Sequence, residues 1–270
     1  MGRIAQVVVV GKSRECLDRA VRTAFEAASS LEAIISRDSA NSELMALCSS
    51  GFGRYIPVSA DLRAMLLLAN DIAYHTDGIF DVAAASTCGN AHWTDIDLSR
   101  AGHVLLRKRL SLSFGGFIKG YAADVMVRSL MESGVGAGLV DIGGCIKAYG
   151  GSEWRIEFAQ SSSPQLAGLC SDIEPAIIPI PLIDSAIAGF GPYFGMSKLV
   201  DLQQGLVVSP EEWGNQNIVI RATSCAVADA LTKVLALEPA YGEQLLRLFG
   251  AATAIFPVPE NKIEKQFYKS

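Results

Sequence analysis

Two stretches of the chain place a glycine pair, two apolar residues and a lysine in the same order: "LSFGGFIKGYAAD", Leu112 to Asp124, and "VDIGGCIKAYG", Val140 to Gly150. Glycine pairs weaken regular structure and are kept where a backbone turns tightly or approaches something closely. After the first pair the pattern predicts a helix from about Lys119 to Ser133. A glycine turn that opens a helix presents free backbone N–H groups and the positive end of the helix dipole, a common receptor for phosphate. Glycine loops with a lysine point to binding of a phosphorylated ligand, whatever group the phosphate carries. Two ordinary turns are the competing reading.

The elements that must hold these loops are legible around them. Ile4 to Val10 is β-rich, and Ser13 to Ile35 carries apolar residues at helical spacing behind a Ser13 cap. A second helix starts at a Ser42 cap and ends near Gly51. In "VSADLRAMLLLANDIAYHTDG", Ser59 caps a helix that buries Leu62, Met65, Leu66, Ala69 and Ile72, and Gly78 stops it. The apolar turn "IFDVAAAS" follows, and Val104 to Leu112 reads as paired short strands. "AGLVDIGG", "WRIEFA", "SAIAGFG" and "NIVIRA" read as strands, with 161–181 a Ser- and Pro-rich loop excursion. Ala226 to Leu237 and Tyr241 to Phe249 read as helices, and "ATAIFPV" as the last strand. Strands and helices mix without a regular βαβ beat or an evident linker. The fold class is α+β, two interlocked α/β halves with mixed and antiparallel sheets in one domain, 1–270.

Composition narrows the partners. Of 270 residues, 50% are hydrophobic and 19% charged, which fits a compact fold and excludes long disordered tails. A net charge of −5, with no basic run, argues against nucleic acid. No stretch has the length of a membrane span, and the apolar amino end is too short for a signal-peptide core, so a cytoplasmic protein is expected. Six cysteines, at 16, 48, 88, 145, 170 and 225, form no C-x-x-C pair and read as buried free thiols.

Several motif fragments lack their context. "GKS" at Gly11 to Ser13 resembles the end of a P-loop, but Gln6 stands where that loop needs glycine. "GVGAG" at Gly134 to Gly138 follows a helix and precedes a strand, the reverse of a dinucleotide fingerprint, and reads as a helix cap. His75, His92 and His103 have no metal-ligand spacing.

Four segments taken in order carry a resemblance: "SANSEL" (39 to 44), "HTDGIFDV" (75 to 82), "SFGGFIKGYAAD" through "VDIGG" (113 to 144) and "ATSCAVADALTKV" (222 to 234). Together they resemble the ApbE family, the FAD:protein FMN transferases, over roughly residues 5 to 256. The resemblance implies an ApbE-like, T-fold-related architecture with flavin held between two halves. It implies FAD as ligand, magnesium as metal, and transfer of FMN to a Thr or Ser hydroxyl of an acceptor flavoprotein. By that resemblance Asp229 is the metal-binding and catalytic carboxylate, joined by the backbone carbonyl of Gly116. Lys119, with Ser113, Gly115 and Gly116, contacts the flavin nucleotide. The segment Thr76 to Asp81, with Asp77, Gly78, Ile79 and Phe80, wraps the flavin.

The departures are as informative. Lys233 stands where the family carries a Thr that ligates the metal, and an ammonium beside Asp229 competes with magnesium. Thr232, one residue earlier, is the substitute ligand, although a helix turns it about 100° away. Ser113 and Cys145 replace acidic residues of the family, Lys198 takes the place of a transfer histidine, and Ala188 to Gly191 reads "AGFG" where the family has "ATSG". These losses keep a second function in view, a catalytically degenerate flavin- or nucleotide-binding accessory protein that retained the pocket.

Overall fold

The structure is a computed structural model of the chain and describes residues 4–84, 86, 91–160, 176–191, 194, 199–201, 206–208, 216–257 and 265–269. Its frame is a six-stranded antiparallel sheet. The strands are β1 (Ala5–Val10), β5 (Ala137–Ile142), β6 (Cys145–Tyr149), β9 (Ala186–Phe190), β12 (Gln216–Ala222) and β13 (Ala252–Pro257), side by side in that order. Three smaller antiparallel units complete it. β2 (Ile56–Pro57) and β3 (Ile96–Asp97) flank β4 (His103–Leu106), and β14 (Lys265–Lys269) and β8 (Ala176–Leu182) flank β7 (Trp154–Gln160). β10 (Leu199–Asp201) pairs β11 (Leu206–Val208).

Both faces of the sheet are buried at its inner strands, which is why β9 reads as the unbroken apolar run "AIAGF". On one face Val140, Ile142, Phe190, Ile218 and Ile220 pack under α4 (Ile118–Glu132) and α5 (Cys225–Leu237). On the other, Leu139, Ile146, Ile187 and Val219 meet Trp154, Ile156 and Leu182 of the smaller sheet. α1 (Arg14–Ile35) lies against α4 through a stripe of Ala20, Ala24, Ala28 and Leu31, small residues that allow close approach.

The expected caps are in place. Ser13, Ser42 and Ser59 accept from the backbone N–H of Cys16, Met45 and Leu62 at the starts of α1, α2 (Glu43–Ser50) and α3 (Ala60–His75). The five apolar residues expected on α3 are all buried. Gly134, at φ +79°, closes α4 as a left-handed cap. A last helix, α6 (Gly242–Leu248), precedes β13.

Four expectations are corrected. The strand after residue 103 ends at Leu106, and its partners are β2 and β3, not the following 107–112. The end of the expected excursion, 176–181, belongs to a strand, Ala176–Leu182, held by β7, while 161–175 lies outside the described residues. "ATAIFPV" is not the last strand, because β14 follows it and pairs with β7. Of the cysteines, Cys145 and Cys225 are buried and free but Cys16 is exposed; Cys88 and Cys170 lie outside the described residues.

Candidate functional site

The two glycine pairs serve different ends. Gly143 and Gly144, at φ +56° and +93°, are the two-residue turn of the β5–β6 hairpin, in which Ile142 faces Cys145. Both positive φ values favour glycine. Asp141 fixes this turn by accepting from Gly144 N at 2.8 Å. Gly115 is exposed, and Gly116 lies against a side chain: a Cβ there would stand 2.7 Å from the Phe80 ring. So the second pair is an ordinary hairpin turn, and the first is a close approach.

That approach joins two sequence-distant candidates. Ser113 N donates to Val82 O at 2.8 Å, tying the loop before α4 to the turn after α3. In that turn Asp77 and Gly78 take φ of +50° and +76°. Thr76 Oγ1 donates to Ile72 O at 2.9 Å and accepts from Phe80 N at 3.2 Å. Asp81 accepts from Ala83 N and Trp93 N, and burial pushes its carboxyl up despite those bonds. Ile79 and Phe80 are buried; the Phe80 ring meets Phe117 edge-on at 5.6 Å. The segment 76–81 and the loop 113–116 therefore form one wall.

The charged centre lies at the first turn of α4, which follows that loop. Asp229, on α5, is fully buried. Lys119 Nζ lies 3.1 Å from each of its carboxylate oxygens. Lys233, one helical turn along α5, donates to Oδ1 as well and to Asp229 O at 2.7 Å. Gly120 N donates to Oδ2 at 3.1 Å. Lys119 Nζ also reaches Cys145 Sγ at 3.4 Å, and Lys233 Nζ lies 5.8 Å from the centroid of the Phe190 ring.

The electrostatics follow from this geometry. Burial alone would raise the Asp229 carboxyl, but the two ammoniums prevail and hold it at about 2. Burial opposes the charge on Lys119, yet Asp229 raises its pKa above the usual lysine range. Lys233 goes the other way: burial, aided by the like charge of Lys119, lowers it despite Asp229. One carboxylate shared by two ammoniums cannot neutralise both.

The helix opening differs from the simple expectation. α4 has no side-chain cap of its own at Phe117, and Asp229 supplies one from another helix through Gly120 N. Reciprocally, Asp124 on α4 accepts from Cys225 N at 3.0 Å, Ala226 N at 2.9 Å and Ser224 Oγ at 2.9 Å at the start of α5. The positive end of the α4 dipole thus already faces a carboxylate. Sequence reasoning missed Asp124 and Gly120 because their partners lie more than a hundred positions away; no local signal marks them.

These residues do not fit a magnesium ion. Both Asp229 oxygens are engaged by N–H donors, and Thr232 Oγ1 is turned back to Asp229 O at 2.7 Å. Among the described residues no group of three or more His, Cys, Asp or Glu could hold a metal. Lys198 lies outside the described residues.

Comparison with known proteins agrees with this architecture. A family model described as "ApbE family" matches residues 1–256. No curated protein matches the chain in sequence. Among solved structures, the flavin transferase ApbE from Vibrio cholerae is similar with a TM-score of 0.75 at 17% identity, over 100% of this chain and 94% of that one. The apo form of the Pseudomonas stutzeri flavinyl transferase ApbE gives 0.71 at 18%, covering 99% and 94%. The ApbE protein of Thermotoga maritima gives 0.68 at 17%, covering 98% and 96%.

Proposed function

The chain belongs to the ApbE family of flavin transferases, and from that premise we propose that it binds FAD and transfers its FMN moiety to a Thr or Ser hydroxyl of an acceptor flavoprotein. One observation carries the reading: the buried Lys119–Asp229–Lys233 cluster, with more positive than negative side chains, is joined to the first turn of the helix that follows the first glycine loop. In the proposed reaction the acceptor oxygen forms a bond to the FMN phosphorus. The anhydride bond to AMP breaks, AMP leaves with the electron pair, and the hydroxyl proton passes to solvent. Such transfers depend on positioning and charge neutralisation far more than on covalent help from the protein. The lysines would neutralise phosphate oxygens, and the wall formed by 76–81 and 113–116 would seat the flavin. No step is assigned to magnesium, since the donor set does not suit it.

Incubating the protein with FAD and candidate acceptor flavoproteins tests this. Flavin fluorescence on an acceptor that survives denaturing electrophoresis, with an adduct mass of FMN less water, is the expected result. A second reading is favoured by the full engagement of Asp229: a flavin-binding accessory protein without transfer chemistry. Tight FAD binding with no labelled acceptor would decide for it. Among the described residues no helix is long and apolar enough to cross a membrane.

A further inference from the structure

We propose that Lys233 takes the place of a divalent cation, so that this protein holds the diphosphate of a flavin dinucleotide with two lysine ammoniums and needs no metal to do so. The proposal rests on the flavin reading above and deepens it. Position 233 stands one helical turn after Asp229, so its ammonium falls directly over the carboxylate and the carbonyl of that residue. A cation bound through Asp229 Oδ1 and the Asp229 carbonyl would compete with this ammonium for the same two oxygens. The ammonium is held from three sides: carboxylate oxygen, carbonyl oxygen and the face of Phe190. Its partner Lys119 spans both carboxylate oxygens from the opposite helix.

Stability is a weak reason for choosing this arrangement over an apolar one. Burying two ammoniums around one carboxylate is costly, and apolar side chains of similar volume usually serve a helix as well or better. With both lysines protonated the cluster keeps one unbalanced positive charge. Both lysines are buried, each with 7% of the residue exposed. A diphosphate supplies the missing negative charge. Lysine offers charge without coordination geometry, which suits a polyanion that must be held and neutralised.

Two measurements on the purified chain test this. The first is titration with Mn2+ followed by electron paramagnetic resonance. The second is FAD binding by fluorescence quenching in EDTA and again in excess Mg2+. We expect no Mn2+ site in the micromolar range, and FAD affinities in the two buffers that agree within about threefold. In Lys233→Thr, folding being checked by circular dichroism, a Mn2+ site should appear, and Mg2+ should strengthen FAD binding by about tenfold or more.

Mn2+ binding to the unaltered chain that Asp229→Asn removes would overturn the proposal without touching the flavin reading. So would FAD affinity that rises tenfold with Mg2+. Absence of FAD binding in both buffers would instead refute the flavin reading and take the proposal with it. The unaltered chain decides the matter even if the variant does not fold.

Discussion

Asp124 and Asp229 stand on opposite helices, and each closes the N-terminus of the other's helix. The two helices meet at their first turns, where Gly120 approaches the backbone of Cys225, Gly120 N reaches the Asp229 carboxylate and Cys225 N reaches that of Asp124. This exchange fixes the distance and register of α4 and α5, and with them the site of the two lysines.

Removing one half of the exchange should loosen the pair. Asp124→Ala deprives Cys225 N, Ala226 N and Ser224 Oγ of their acceptor. The expected loss is about 2 kcal/mol, typical of a strong N-cap with charge-assisted bonds. Asp124→Asn, which keeps an acceptor oxygen, should lose less. Urea denaturation of the three proteins gives the ranking; equal stability of the Ala variant and the parent would remove Asp124 from this role.

Gly120→Ala probes the spacing itself. A Cβ at this position would lie 2.2 Å from Cys225 O, a backbone atom with no rotamer to retreat into. Alanine favours a helix interior by about 1 kcal/mol over glycine. Overpacking of 1–3 kcal/mol, together with the disturbed caps, should outweigh that gain and leave a net loss of roughly 2 kcal/mol. A melting temperature unchanged or raised would contradict the close approach.

Gly116→Val addresses the wall. Its Cβ would stand 2.7 Å from the buried Phe80 ring, which is confined by Phe117. The ring and the 113–116 loop must separate, and FAD affinity should fall by about tenfold, roughly 1.4 kcal/mol. Calorimetric titration with FAD, the variant against the parent, reads this directly; an unchanged affinity would remove the Gly116–Phe80 approach from the site.

Acid should unfold the protein partly through Asp229. Its folded pKa, about 2, is below the ordinary 3.8, so as pH falls the unfolded chain takes up this proton first. The stability it supplies is complete above pH 4 and drains away between about 4 and 2, amounting to about 2 kcal/mol. Denaturant midpoints across that window should fall in the parent, and in Asp229→Asn this part of the decline should be absent.

What the sequence determined by itself was local or ordered. Ser13, Ser42 and Ser59 cap helices through bonds that span three residues, and Gly134 ends a helix by its own φ. The apolar face of α3 follows from a 3.6-residue period. The order of four motifs was enough to indicate the family, and "ADALTKV" was enough to put Lys233 over Asp229, because a helix stacks residues four apart. Tertiary structure decided the rest. Lys119 meets Asp229 across 110 positions, and Asp124 meets Cys225 across 101. The two glycine pairs, alike in sequence, became a hairpin turn and a close approach because only one of them lies between paired strands. Hydrogen-bond caps and periodicity act within a turn or two, so sequence shows them. Whether a helix N-terminus is left open for a phosphate or is closed by a carboxylate depends on which side chain packing brings there.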